Sequence, residues 1–230
     1  SVGEQARRPD AMGYWTYYLL MMALWYLVGH PFILAGVVVL FLLRGFIPDP
    51  YVLARTAGRI RALNAQIAAN PANVTARRDL ARTYLERSRP KRALELLTEA
   101  RKRHPNDAEL LFLTGVAQAR TRAYEPALEA LIHAVDIDPR VGFGEPFRVA
   151  GDVLMKLERY TDAEDAFEHY VETNSSAIDG WYKLWRARQK QGKTDEAKQA
   201  LSELHSTWRT LPGYLRRKQW GWRLRSLLAG

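Results

Sequence analysis

Few residues in this sequence of 230 are spaced for chemistry of their own. The nearest approach to a metal site is Asp165-Ala166-Phe167-Glu168-His169, which brings carboxylates and an imidazole close together in the chain. On a helix, that segment alternates charge with apolar residues, the pattern of a solvated face rather than of a ligand set. No Gly-rich phosphate loop, His-Glu-x-x-His pair or Gly-x-Ser-x-Gly elbow occurs. Cysteine is absent, which removes disulfides, thiolate metal sites, iron–sulfur clusters and thiol nucleophiles at once. The sequons Asn73-Val74-Thr75 and Asn174-Ser175-Ser176 are short matches of the kind chance supplies. The expectation is a protein with no catalytic centre, no cofactor and no metal.

Charge points the same way. The formal net charge is +9, which at first suggests a nucleic-acid ligand. Its distribution does not. Residues 1–43 and 74–204 are each neutral, 44–73 carry +3 and 205–230 carry +6. The central body has no net field with which to draw in a polyanion, so no nucleic-acid partner is expected.

The elements that must hold any site begin with an apolar front end. From Ala11 to Leu43 no residue is charged, a run well beyond the roughly 20 residues that suffice to cross a bilayer. Gly29-His30-Pro31 interrupts it, because proline removes a donor and disfavours helix in the residue before it. The spacing predicts two helices, about 13–29 and 32–46, each about 22–26 Å long at ~1.5 Å per residue. Trp15, Tyr18 and Trp25 mark the membrane–water interface, while Pro31, Val38 and Phe41 belong to the break and the lipid-facing second helix. Arg7 and Arg8 precede the run, and Arg44, Arg55, Arg59 and Arg61 follow it. A hairpin with both ends in the cytoplasm satisfies the positive-inside rule at each flank, and a single crossing that translocates Arg7-Arg8 also leaves the body cytoplasmic. A periplasmic body is the competing arrangement.

Behind the apolar run the chain repeats. Pro71, Pro105 and Pro139 fall 34 residues apart, with a further break at Ser175, a period typical of solenoids. Aligned on these breaks, four units place small residues at matching points: Ala81, Gly115 and Gly151 on first helices, and Ala93, Ala127, Ala163 and Ala197 on second helices. Large residues such as Leu97, Leu131, Phe167 and Leu201 fill the space one turn away. Unit three follows an insertion at Val141-Gly142-Phe143-Gly144. Thr114, Gln118, Trp185 and Arg188 depart from the pattern.

These residues resemble the tetratricopeptide repeat family over about 74–208. The resemblance implies an all-α superhelical solenoid of about four helix-turn-helix repeats with a capping helix, here preceded by the amino-terminal transmembrane hairpin. The expected organisation is a membrane anchor at 1–47, a basic linker and leading helix at 48–73 (Leu53, Ile60, Leu63 and Ile67 at helical spacing), the repeat array at 74–208, and a basic cap at 209–230. Within the cap, Leu215, Trp220, Leu224, Leu227 and Leu228 form an apolar stripe among Arg216, Arg217, Lys218, Arg223 and Arg225. That basic end reads first as a solvated cap and second as a contact for lipid or a partner.

In this family the first helices line a peptide-binding groove. Carried over, the resemblance puts Arg78, Arg82, Phe112, Arg148, Asp152, Tyr182 and Arg186 there. The arginines suit an acidic peptide, with Phe112 and Tyr182 as anchors; equally, they suit internal pairing with Glu109, Glu145, Asp152 and Asp179. His133 and His169 hold equivalent repeat positions, as expected for a surface pair. The function expected is a membrane-anchored scaffold or adaptor, at a bacterial inner membrane, with protein partners and lipid held by the amino-terminal segment. An integral accessory subunit of a respiratory, photosynthetic or secretion assembly is the alternative.

Overall fold

A computed structural model describes residues 50–227, together with positions 15, 17–19, 21, 22, 25, 26, 29, 30, 32 and 36. The chain forms two compact units, Ser1–Pro50 and Tyr51–Gly230. In the first unit every described position is helical except His30. The His30 ring stacks on Tyr26 at 4.3 Å, with Nδ1 3.0 Å from the Tyr26 carbonyl. Trp15, Tyr18 and Trp25 are 72%, 70% and 80% exposed. Pro31, Val38 and Phe41 lie outside the described residues, as does most of the expected second helix. Among the described residues no helix is long and apolar enough to cross a membrane, so the expected hairpin finds no direct support in the fold.

The second unit is all-α over its described residues: α1 (Pro50–Ala69), α2 (Val74–Glu86), α3 (Pro90–Arg101), α4 (Ala108–Arg120), α5 (Tyr124–Ile137), α6 (Glu145–Lys156), α7 (Tyr160–Thr173), α8 (Ile178–Lys190), α9 (Thr194–Thr210) and α10 (Gly213–Leu227). Local chemistry sets the helix starts. Asn73 and Asp107 accept the Ala76 and Leu110 amides at 2.9 Å, satisfying donors the helix itself leaves unpaired. Each turn inside a repeat ends in a left-handed residue: Ser88, Arg122, Glu158 and Gly192, with φ of 55°, 66°, 59° and 76°. That conformation closes the last carbonyls of the first helix before the chain reverses.

The small residues mark where helices cross. A Cβ built on Gly115 would stand 2.6 Å from Leu131 Cγ, one on Gly151 2.5 Å from the Phe167 ring, and one on Gly180 2.8 Å from Tyr170. Ala81, Ala93, Ala127, Ala163 and Ala197 are fully buried. Close approach of helix axes is what the small-large spacing achieves, and dense packing of the rings and leucines follows. At the leading end, Ile60, Leu63 and Ile67 of α1 pack on Ala76 and Leu80 of α2.

At the other end the expected stripe on α10 needs correction. Leu215 packs against Ile178, Leu204 and Leu211, but its companions there are Trp222 and the buried Ser226. Trp220, Leu224 and Leu227 are 62%, 47% and 56% exposed, and Leu228 lies outside the described residues. The reason is register: 215, 219, 222 and 226 share a face at helical spacing, and 220, 224 and 227 occupy another. Gln219 joins the inner face, accepting the Ile178 amide at 2.8 Å and donating to the Ser176 carbonyl at 3.2 Å. It caps α8, whose own N-cap, Ala177, offers no side-chain acceptor.

The departures from repeat pattern are absorbed individually. Buried Thr114 turns its hydroxyl onto the Leu110 carbonyl at 2.7 Å. Trp185 meets Tyr182 at 5.2 Å between ring centroids. The insertion forms a short 3₁₀ turn with Gly142, Phe143 and Gly144 all at positive φ (62°, 54° and 81°). Val141 anchors it in the core beside Leu111 and Ala134, and Asn174 donates its side-chain amide to the Phe143 carbonyl.

Candidate functional site

The first helices of the first three repeats lie side by side. Helices α2 and α4 pack directly on each other, as do α4 and α6, while no comparable contact joins α3 to α5, α5 to α7 or α7 to α9. Close first helices and splayed second helices put α2, α4 and α6 on the inside of a bend.

The structure places the predicted groove residues in three different settings. Arg78 and Arg82 both turn to Glu109: Arg78 Nη1 lies 2.6 Å from Oε2, and Arg82 bonds Oε1. Arg148 donates through Nε to Glu145 at 2.8 Å and reaches Asp152 at 3.3 Å, while Lys183 holds Asp152 from α8. Burial alone would lower the Arg148 pKa, but the bond to Glu145 and the charges of Glu145, Asp152 and Asp179 keep it above the ordinary arginine value. Asp179 moves up instead, because burial, with Glu145 and Asp152 nearby, outweighs Lys183 and Arg148. Burial, then Asp179 and Glu145, likewise raise the Tyr170 phenol.

Arg186 is different. It is exposed and borders a cavity of about 550 Å³ with Lys156, Lys183 and Lys190, whose walls include Met155, Tyr160 and Phe167. Arg186, Lys156 and Lys190 have no ion-pair partner among the described residues. Tyr182, predicted as an anchor for a partner, packs against the cap, with Trp222 5.6 Å away. Phe112 is half-buried beside Arg82, Arg140 and Gly142 in a second cavity of about 650 Å³.

Two features escaped the sequence. Phe143 is 81% exposed at the edge of that second cavity, in left-handed backbone that costs a non-glycine residue about 1–2 kcal/mol. Its signal was present in the glycines on either side. The other is a polar knot at Glu164, only 4% exposed. Arg188 Nε donates to Glu164 at 2.8 Å, Lys193 at 2.6 Å and Gln191 at 2.7 Å, while Arg188 also reaches Glu168 at 2.6 Å. Burial would raise the Glu164 pKa, yet these donors from Lys193, Arg188 and Gln191 hold it below the usual carboxylate value. Arg188, irregular in the repeat pattern, is thus the partner of a buried acid one repeat earlier. Glu168, read with Asp165 and His169 as a solvated face, is half drawn into this knot.

His133 and His169 border one cavity of about 910 Å³ between α5 and α7. His169 lies against Phe147 at 5.3 Å and Glu172 at 3.4 Å. Among the described residues no three metal-ligating side chains converge.

Comparison with known proteins agrees with this geometry. A tetratricopeptide repeat family model matches residues 78–140. Among solved structures, a crystal structure of MamA is 23% identical, with a TM-score of 0.61 over 66% of this chain and 91% of that one. MamA from Desulfovibrio magneticus RS-1 is also 23% identical, with a TM-score of 0.53 over 58% and 75% of the two chains. YrrB, described as a TPR protein with an unusual peptide-binding site, is 20% identical, with a TM-score of 0.57 over 64% and 74%. No curated protein sequence matches. At these identities the likeness establishes the fold: the body is a tetratricopeptide-type solenoid.

Proposed function

We propose that this chain is a non-catalytic, membrane-anchored scaffold whose repeat body docks an acidic segment of a partner protein. One observation carries the docking reading. Arg186, Lys156 and Lys190 stand without ion-pair partners around a cavity of mixed lining, whose carboxylates are Glu158 and Asp152, the latter held by Lys183, whereas Arg78, Arg82 and Arg148 already pair within the protein. The free cations supply charge-assisted bonds to carboxylates, and Met155, Tyr160 and Phe167 offer apolar contact between them. The acidic ligand therefore engages the α6–α8 end of the groove, and Phe143 with Phe112 supplies an aromatic contact farther along.

The anchor is the second part of the proposal. Trp15, Tyr17, Tyr18, Trp25 and Tyr26 are helical and largely bare, a surface that belongs in a bilayer interface rather than in water. The basic flanks favour a cytoplasmic repeat body under the positive-inside rule, and we propose a bacterial inner membrane as the site. Confinement there raises the local concentration of the partner without any new contact.

A photoreactive residue installed at Arg186, Phe112 or Phe143 in the full chain, activated in native membranes, tests the docking. The expected product is one partner captured through an acidic stretch, with capture at Phe112 and Phe143 lost in the Arg186→Glu/Lys190→Glu variant. Capture indifferent to that charge reversal defeats the acidic-ligand reading. Capture only from probes within residues 13–46 supports the accessory-subunit reading instead. Alkaline washing tests the anchor separately: release of the chain into the soluble fraction refutes it.

A further inference from the structure

Helix α10 presents a face that the packing of the cap does not explain. Its inner side is occupied by Leu215, Gln219, Trp222 and Ser226. Its outer side exposes Tyr214 (72%), Trp220 (62%), Leu224 (47%) and Leu227 (56%), interleaved with exposed Arg216, Arg217, Lys218 and Arg225. Residues 205–230 contain six Lys and Arg and no acid. None of the ion pairs among the described residues reaches a basic side chain of α10. Arg216 instead donates to the Arg209 carbonyl at 2.7 Å, and Arg225 lies over Trp222 at 4.5 Å.

We infer that the outer face of α10 docks on an anionic lipid surface. Two properties of this exposed surface select this occupant. The unpaired cations complement a surface rich in acidic headgroups. Exposed Trp and Tyr, with leucines beside them, suit the boundary between headgroups and acyl chains, where amphipathic rings are favoured. A nucleic acid or an acidic peptide satisfies the first property and leaves the leucines in water. The inference does not depend on the amino-terminal anchor, which acts on any bilayer irrespective of charge.

The absence of cysteine makes the test direct. The full-length Leu224→Cys variant carries an environment-sensitive fluorophore at that one thiol, and an Ile132→Cys variant, at a 60%-exposed site on α5, serves as control. Each is reconstituted in vesicles of phosphatidylcholine, or of equal parts phosphatidylcholine and phosphatidylserine. The expected result is a blue shift at position 224, with quenching by brominated acyl chains, in the anionic vesicles only. It is reversed by salt and absent at position 132. Neutralising three charges (Arg216→Gln, Arg217→Gln, Lys218→Gln) lowers the docked-to-undocked ratio about 100-fold, at roughly tenfold for each 1.4 kcal/mol and about 1 kcal/mol per basic residue. An unchanged probe in both vesicle types overturns the inference, as does an equal shift in both. So does a shift produced without lipid by a DNA duplex or a glutamate-rich peptide, which assigns the face to another polyanion. Failure of the anchor shows separately, as chain that floats free of phosphatidylcholine vesicles while still responding to the anionic ones.

Discussion

Replacing Gly151 by alanine tests the close helix crossing of the third repeat. The new Cβ would meet three atoms of the Phe167 ring at 2.5 to 2.7 Å, well inside contact distance. Phe167 is fully buried, so relief of the overlap requires its ring to shift within the core, toward the cavity it borders. Overpacking of this kind costs about 1–3 kcal/mol, while alanine returns about 1 kcal/mol through helix propensity, for a net loss of up to about 2 kcal/mol. Gly58, exposed on α1 with nothing within 4 Å of its built Cβ, supplies the opposite case. There the same substitution gains about 1 kcal/mol. Urea titration of each full-length variant in mild detergent, followed by far-UV circular dichroism, compares the two. With a slope near 2 kcal/mol per molar, the midpoints of the variants separate by about 1 M. A double-mutant cycle with Phe167→Leu should return a coupling of about 0.5–3 kcal/mol, because the smaller side chain makes room for the methyl. A Gly151→Ala midpoint raised as far as that of Gly58→Ala, or a cycle that closes at zero, refutes the packing argument.

Three further outcomes follow from the described residues. Glu164→Gln keeps the shape of the polar knot but leaves Arg188 and Lys193 poorly compensated, a loss of about 1–3 kcal/mol at neutral pH. Because the folded Glu164 pKa is lowered from 4.5, its contribution is complete above that value and is lost as pH falls through the folded pKa; acid titration of unfolding should therefore be shallower in the variant. His205 has its pKa lowered from 6.5 by burial, then by Arg223 and Arg209. The unfolded chain takes the proton first, so stability falls as pH drops below 6.5, and His205→Gln should flatten thermal-melt midpoints across that window. Phe143→Gly relieves about 1–2 kcal/mol of left-handed strain against about 0.5–1 kcal/mol of added chain entropy. Melting should stay near wild type while capture of a partner from Phe112 falls, and a melt lowered in step with capture would make the residue merely structural.

The sequence exposes the architecture because close helix crossings demand small residues at fixed points, and Gly115 and Gly151 recur with large partners one helix later. The groove is less legible. Arg78 and Arg82 are paired by Glu109, from the next repeat, and which arginines remain free depends on rotamers that spacing does not encode. Arg186 is exposed with no carboxylate aimed at it, whereas Arg148 is half-buried between Glu145 and Asp152. On α10, leucines and tryptophans suggest a buried stripe, yet a half-turn of rotation gives Trp222 and Ser226 the inner side and leaves Trp220 and Leu224 outside. The left-handed corners are hidden for a related reason: glycine marks only Gly192, while Ser88, Arg122 and Glu158 adopt the same conformation because the repeat frame imposes it. The knot around Glu164 left one clue, an arginine where an aliphatic side chain belonged.

Trp222 sits where two surfaces share one wall. Its ring touches Tyr182 at 5.6 Å and lies beneath Lys183 at 5.8 Å, and the same helix turns its other side outward. A ligand whose binding tilts α10 must therefore disturb α8, the helix that carries Arg186. Thermodynamic reciprocity then applies: whatever factor the outer ligand imposes on affinity within the groove, the groove ligand imposes in return on the outer surface. A protein of this build would report the state of one neighbour to another through a single indole.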